Sequence, residues 1–314
     1  MMLAFCSFYN KIRNLRQFDF VFLHQRKSML KNYLSLIKFS HTIFALPFAL
    51  IGFCLAISQE TYAFSWLKLL GVILCMVFAR SAAMAFNRYI DKDVDTANPR
   101  TASVREIPNG SIKAKSALLF VAINSLFFMG ASYLLNTLCF MLSPIALLVI
   151  LGYSHTKRFT ALCHLVLGLG LSLSPIGAYL AVTAEFDLLP LLFSMVVLFW
   201  VSGFDIIYAL QDESFDKEYK LHSIPVLLGK KKALLLSRVL HFITAGLIIF
   251  IGWDYFTESI VFWIASALFI ALLLNQHRLV KPDDLSKVNL AFFTNNGIAS
   301  VLFGILIIVE LLFL

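Results

Sequence analysis

The sequence predicts an all-α, polytopic membrane bundle of about nine transmembrane helices, and three observations carry that expectation. Of its 314 residues, 60% are hydrophobic and only 14% charged, where soluble domains carry about 25% charged residues. Its mean hydropathy is +0.84. Nine apolar runs of roughly bilayer-spanning length fall near 39–58, 67–89, 116–135, 137–154, 161–183, 188–210, 233–253, 258–276 and 289–314. A water-soluble core of this length cannot hide so much apolar side chain, which argues against a soluble enzyme, a disordered chain or a nucleic-acid-binding domain. The net charge of +8 therefore reads as basic loops on one membrane face, with the lipid bilayer as the partner.

The basic residues test this count. Segments 1–38, 88–115, 155–160, 211–232 and 277–288 hold 23 of the 26 Lys and Arg, leaving Lys68, Arg80 and Arg238. The alternate loops hold none, and contain Glu60, Glu185, Asp187 and Asp254. Nine spans put every basic segment on one side. The rule that cytoplasmic loops are positive then sets the N-terminus inside and the C-terminus outside. Residues 1–32 read as a basic cytoplasmic extension, too broken for a cleaved signal peptide, and 33–314 as one domain. The five cysteines (Cys6, Cys54, Cys75, Cys139, Cys163) form no CxxC and read as buried thiols. No protein partner is inferable.

Nine of the 18 acidic residues fall at two span ends. On a continuous helix, Asn87, Asp91 and Asp95 advance by only about 40° per step, with Arg80 on the same stripe. Asp205, Asp212 and Asp216 stand at i, i+7 and i+11, within about 20° of one line, with Tyr208 beside them. Asp91 to Asp212 and Asp95 to Asp216 are the same distance apart, 121 residues, with four spans between. Two parallel helices thus each carry a column of carboxylates, and the chain reads as a pseudo-duplicated pair of four-helix halves. Stacked like charges need cations, and hard carboxylate oxygens suit Mg²⁺, which binds through few carboxylates plus substrate phosphates. The columns can hold one or two Mg²⁺ and a diphosphate between them, with Arg100, Arg105, Lys157, Arg158 and Lys220 neutralising the rest. The plainer reading is a set of solvated loop acids, but Asp205 lies well inside its span.

At these residues the sequence resembles the UbiA superfamily of intramembrane aromatic prenyltransferases, whose motifs run roughly NDxxDxxxD and DxxYAxxDxxxD. Here they stand as Asn87 to Asp95 (NRYIDKDVD) and Asp205 to Asp216 (DIIYALQDESFD). Two departures are Arg88, where many members have Asp, and Val104, which lengthens the spacing of Arg100 and Arg105. With Arg88 the first site is expected to hold its metal with one carboxylate fewer. TKRFT (156–160) and LGLGLSLSPIGAYLAV (167–182) resemble the 4-hydroxybenzoate branch. IKFSHTIFALPFAL (37–50) and KLHSIP (220–225) resemble the branch that prenylates a dihydroxynaphthoate in the futalosine route to menaquinone.

The resemblance implies transfer of a polyprenyl group from polyprenyl diphosphate to the ring of an aromatic acid acceptor, in ubiquinone or menaquinone biosynthesis at the inner (cytoplasmic) membrane. It implies metal ligation by Asp91, Asp95, Asp212 and Asp216, with Mg²⁺ and cationic side chains stabilising the departing diphosphate. Asp205 and Tyr208, deepest in the second column, are placed to hold metal and support the allylic cation. Arg80, inside a span, needs a partner: the acceptor carboxylate or Asp91. Asn87 belongs with the substrate, and Lys38 and His41 are positioned either to touch the acceptor or to snorkel. His164 and His241 read as satisfied core histidines, Asn295 and Asn296 as helix glue, and Pro47, Pro144 and Pro175 as kinks that open a cavity. Of the 31 Phe, some can line a prenyl tunnel; ordinary lipid-facing packing accounts for most. A secondary transporter is the rival of a different class, with its acids expected near the bilayer midplane on broken helices.

Overall fold

The computed structural model describes residues 31–314, with the side chains of residues 39–41 outside the described set. The N-terminal extension therefore lies almost wholly outside the described residues, and so does the side chain of His41. The elements are α1 (Leu46–Ile57), α2 (Trp66–Ile90), α3 (Lys92–Ala97), α4 (Ala114–Leu135), α5 (Thr137–Thr156), α6 (Cys163–Thr183), α7 (Leu188–Ala209), α8 (Glu213–Glu218), α9 (Ile224–Tyr255), α10 (Ile260–Leu279) and α11 (Asn296–Phe313). The chain is an all-α integral membrane protein: among the described residues, eight helical segments are long and apolar enough to cross a bilayer.

The ninth expected span is the exception. A 3₁₀ turn over Phe39–Phe44 precedes α1, which has 12 residues, about 18 Å of rise against a hydrocarbon core of about 30 Å. Local chemistry explains the shortening. Lys38 adopts a left-handed φ of 45°, and Pro47 sits in the first turn of α1, where its missing N–H costs nothing. The other spans follow their predicted bounds within a few residues, except that α9 starts at Ile224, across a kink at Gly229 (φ 72°).

The columns of carboxylates are not on continuous helices. The helix of Asn87 ends at Ile90, Asp91 takes φ −86° and ψ 4°, and α3 starts a new turn. In the second half a 3₁₀ turn, Leu210–Asp212, separates α7 from α8. Each break gives the short helix its own N-terminus, with Asp93 and Asp95, or Glu213 and Asp216, in its first turn. Negative charge is favourable there, which a through-running helix would not have offered. The 121-residue offset that relates the acids also relates α3 to α8, end for end.

Packing holds the long helices in one bundle. Trp200, Phe48, Phe269 and Phe303 are fully buried together. Polar glue runs between helices: the Trp200 indole donates to Asn296 Oδ1 (3.0 Å), and Asn295 Nδ2 donates to the Leu272 carbonyl (2.6 Å). His241 donates from Nε2 to the Trp200 carbonyl (3.2 Å), so its Nδ1 accepts from His277 Nε2 (2.9 Å). Each helix-interior proline follows a serine that repairs the ladder. Ser143 Oγ donates to the Phe140 carbonyl freed by Pro144, and Ser174 Oγ to the Leu171 carbonyl freed by Pro175, both at 2.8 Å.

Gly52 of α1 lies against α6 so closely that a Cβ would come 2.0 Å from the Pro175 carbonyl oxygen. The obstruction is backbone and cannot rotate away. Gly52→Ala is expected to destabilise the bundle by about 1–3 kcal/mol, read as a lower melting temperature in detergent; an unchanged value would mean that α1 shifts freely on α6.

Candidate active site

The breaks after α2 and α7 bring the acid-rich ends together. One small cleft of about 50 Å³ is lined by Asp91, Asp95, Asp212 and Asp216 and by Arg100, Arg105, Lys157 and Arg158, with Asn98, Thr101 and Phe215 among its walls. Eight of the sequence-predicted residues therefore meet, although they come from four separate stretches of chain. The charges balance, four acids against four bases, and they interdigitate. Arg100 donates from Nε to Asp212 Oδ1 (3.0 Å), from Nη2 to Asp212 Oδ2, and from Nη1 to the Tyr208 hydroxyl (3.2 Å). Arg105 pairs with Asp95, and Lys157 with Asp216 at 2.7 Å. Arg158 donates to the Ile90 carbonyl (2.6 Å), closing the end of α2.

Electrostatics follow from this packing. Burial and the neighbouring Asp95 push the Asp91 carboxyl above its ordinary range, against the pull of Arg105 and Lys157. Burial works against the charges of Arg100 and Lys157, but Asp212 and Asp216 outweigh it and hold both above their usual values. Both cations stay charged, each next to a carboxylate it can exchange for a phosphate oxygen.

The remaining expected residues stand elsewhere. Asn87 donates from Nδ2 to Asp91 Oδ2 (2.9 Å) and accepts from Arg88 Nη1 (3.0 Å). Arg88 is buried and does not line the cleft, and reaches Asp91 only through Asn87. Lys220 is exposed, at a left-handed φ of 52°, and is not part of the cleft wall. Lys38 contributes its backbone carbonyl, which accepts from Arg80 Nη2 at 3.4 Å. Asp205 does not line the cleft either; its Oδ2 lies 2.7 Å from His164 Nδ1. Sequence reasoning gave His164 to the core, and its partner 41 residues away left no local signal.

Below the cleft, a second, larger cavity of about 380 Å³ runs between α2, α4, α5 and α6. Its wall is almost wholly apolar. Arg80 and Tyr153 are at one end, Leu135 and Phe186 at the other, with Ser143 and Ser174 (already bonded within their own helices) between. Arg80 has a buried Nε without a hydrogen-bond partner, and no carboxylate at ion-pair distance, among the described residues. The permanent Arg80–Asp91 pair allowed by the sequence is thus not formed.

A UbiA prenyltransferase family model matches residues 45–297. The chain belongs to that family. Among its relatives are two 4-hydroxybenzoate octaprenyltransferases. That of Aliivibrio fischeri (strain MJ11) is 30% identical over 244 residues, covering 76% of this chain and 82% of the relative. That of Yersinia pseudotuberculosis serotype IB (strain PB1/+) is 32% identical over 240 residues, 75% and 81%. Among solved structures, the apo form of a UbiA homologue from Aeropyrum pernix K1 superposes with TM-score 0.77 at 32% identity, covering 87% of this chain and 98% of that one. A UbiA homologue from Archaeoglobus fulgidus bound to DMAPP and Mg²⁺ shares the fold, with TM-score 0.72 at 23% identity over 90% and 100% of the two chains. Within the UbiA family frame, the transporter alternative falls away: the acids sit at helix ends and not at the midplane of broken helices.

If the cleft is the reacting centre of this UbiA protein, single charge deletions in it outweigh any packing effect. Asp91→Asn and Asp212→Asn are expected to lower prenyl transfer at least about a hundredfold with unchanged membrane insertion and elution from a sizing column. Near-wild-type turnover of well-folded Asp212→Asn would remove the cleft from the chemistry.

Proposed function

We propose that this protein is a Mg²⁺-dependent aromatic prenyltransferase that moves a polyprenyl group from polyprenyl diphosphate to the ring of 4-hydroxybenzoate, in respiratory quinone biosynthesis. One observation carries the reading: a charge-balanced cleft of four carboxylates and four cations stands over a long apolar cavity whose one guanidinium lacks a carboxylate. The names of the relatives point the same way.

The donors fit the metal. Asp91, Asp95, Asp212 and Asp216 offer hard oxygens only, and among the described residues no three acidic, His or Cys side chains form a ready-made cage. Hard oxygens suit Mg²⁺, which completes its shell with waters and substrate phosphate. These four residues would hold it. A polyanionic diphosphate entering a cleft that is already neutral also needs added positive charge. When bound, the ion acts as a Lewis acid on the leaving oxygens.

The chain's own groups do the rest. Arg100, Arg105, Lys157 and Arg158 orient the diphosphate and neutralise charge as the C–O bond breaks. Tyr208, anchored by Arg100, presents its ring beneath the reacting carbon. The apolar cavity takes the prenyl tail and excludes water from the allylic cation. At its polar end, Arg80 and Tyr153 receive the acceptor, whose carboxylate supplies the charge-assisted partner that Arg80 lacks. The basic loops all lie at the cleft end, so the positive-inside rule opens the active site to the cytoplasm, with the N-terminus inside, the C-terminus outside and the protein in the inner membrane.

A second acceptor, a dihydroxynaphthoate, has one observation in its favour. Both stretches that resemble that branch touch inner residues: 37–50 through the Lys38 carbonyl on Arg80, and 220–225 through the Ile224 amide on His164.

Membranes supplied with Mg²⁺, labelled polyprenyl diphosphate and each acceptor in turn are expected to label 4-hydroxybenzoate; labelling of the naphthoate alone would select the second reading. Stripping with EDTA should abolish transfer, and full turnover after it would reject the metal. Arg80→Lys keeps the charge but loses the planar fork. It is expected to raise the acceptor KM about tenfold or more, with the diphosphate KM nearly constant. An unchanged acceptor KM would reject carboxylate recognition.

A further inference from the structure

We propose that His164 is a positioning residue for proton loss from the acceptor ring, acting through Asp205. The inference rests on the transfer reading above. It begins with a tautomer. The Ile224 backbone N–H donates to His164 Nε2 (3.3 Å), and an amide N–H can only donate, so the ring's proton sits on Nδ1. Nδ1–H then donates to Asp205 Oδ2 at 2.7 Å. His164 is 3% exposed and Asp205 21%. The histidine is thus sealed behind the carboxylate, and one edge of the carboxylate stays open.

The other carboxylates are committed. Asp95, Asp212 and Asp216 are paired with Arg105, Arg100 and Lys157, and Asp91 accepts from Asn87 and lines the diphosphate cleft. Asp205 stands outside the cleft, as do Asp93 and Glu213, but it is the one of the three that lies inside a span. It lies seven residues, about 10 Å, below Asp212, across the 3₁₀ turn. Arg80 lies about 16 Å below Asp91 on the parallel helix α2. Asp205 is therefore between the level that holds the diphosphate and the level that holds the acceptor's carboxylate. The ring carbon meets the prenyl carbon at that depth.

The step balances. The C–O bond to the diphosphate breaks and its electron pair leaves with the diphosphate. The ring carbon forms the new C–C bond, and the C–H electron pair returns to the ring. The proton goes to the open Asp205 oxygen, and the neutral acid passes it to released diphosphate or water. His164 keeps donating to Oδ2 throughout, which fixes the direction in which the other oxygen points. The ring itself gives up no proton, because its second nitrogen is occupied by the backbone.

The test compares acceptor carrying deuterium at the prenylated ring carbon with unlabelled acceptor, in wild type, His164→Leu and His164→Asn. The Asn amide nitrogen falls near the place of Nδ1 and keeps a donor. Wild-type turnover itself answers for the transfer reading, so the two can fail separately. In His164→Leu, kcat is expected to fall about 10- to 100-fold, with the diphosphate KM unchanged and a primary isotope effect that wild type lacks, as proton loss becomes rate-limiting. His164→Asn should recover most of the rate and suppress the isotope effect. A merely structural histidine would lower kcat or melting temperature without an isotope effect, and that result overturns the proposal. So would Asn performing no better than Leu. If His164→Leu does not fold, His164→Asn against His164→Gln, which moves the donor outward, decides by the same isotope readout: equal effects in the two reject it.

Discussion

A carboxylate at the edge of a bilayer must be hydrogen-bonded or neutralised, and this chain brings four of them into one cleft at the ends of two parallel helices. Much of the architecture follows from that constraint. The helices stop where the acids begin, so that short new helices can present N-termini to Asp95 and Asp216. The loop after α3 returns Arg100 and Arg105 to the acids, and the end of α5 supplies Lys157. Remove these cations and the cleft would be a cluster of unscreened like charges in a poor dielectric. Because guanidinium, ammonium and carboxylate groups are of the kinds that also pair with phosphate or metal, the same contacts that make the cleft stable make it exchangeable.

The bundle separates two kinds of space. At one end four carboxylates and four cations share the wall, and below it the wall is apolar over most of its length. That separation is costly to build in helices, since kinks that widen a cavity also free backbone carbonyls. The Ser-Pro pairs at 143–144 and 174–175 solve this locally, each hydroxyl returning to the carbonyl its proline released. The cavity therefore gains room without gaining stray acceptors that would hold water near a carbocation. Arg80 is left as its one strong polar group, and a group so placed discriminates by charge and shape together.

How much of this was legible in the sequence depended on distance along the chain. Hydropathy located the long helices because each span is a local property, and the alternation of Lys and Arg checked the count. It overstated the first span, where an αL residue and a proline shorten the helix in ways a window average does not register. The carboxylates were found because they recur at helical spacing, yet the same spacing concealed the breaks at Asp91 and at Leu210–Asp212. Cations were harder. Arg100, Arg105, Lys157 and Arg158 line the cleft as expected, whereas Lys220 turns outward at a positive φ and Arg88 turns inward. His164 is the satisfied core histidine that the sequence suggested, with both ring nitrogens bonded; what the sequence could not name are the partners, which come from two other helices.

The duplicated frame has one further consequence. Adding 121 to Asp91 and Asp95 gives Asp212 and Asp216, but adding it to Met84 and Asn87 gives Asp205 and Tyr208. The outer level is thus the same in both repeats, and the level beneath it differs. A diphosphate has two similar halves and can be gripped by a nearly two-fold symmetric pair of motifs. An aromatic ring attacking one face of a carbon has no such symmetry. The two halves of this chain match that pattern: the outer acids repeat, while at the inner level a methionine stands in one half and an aspartate with a histidine behind it in the other.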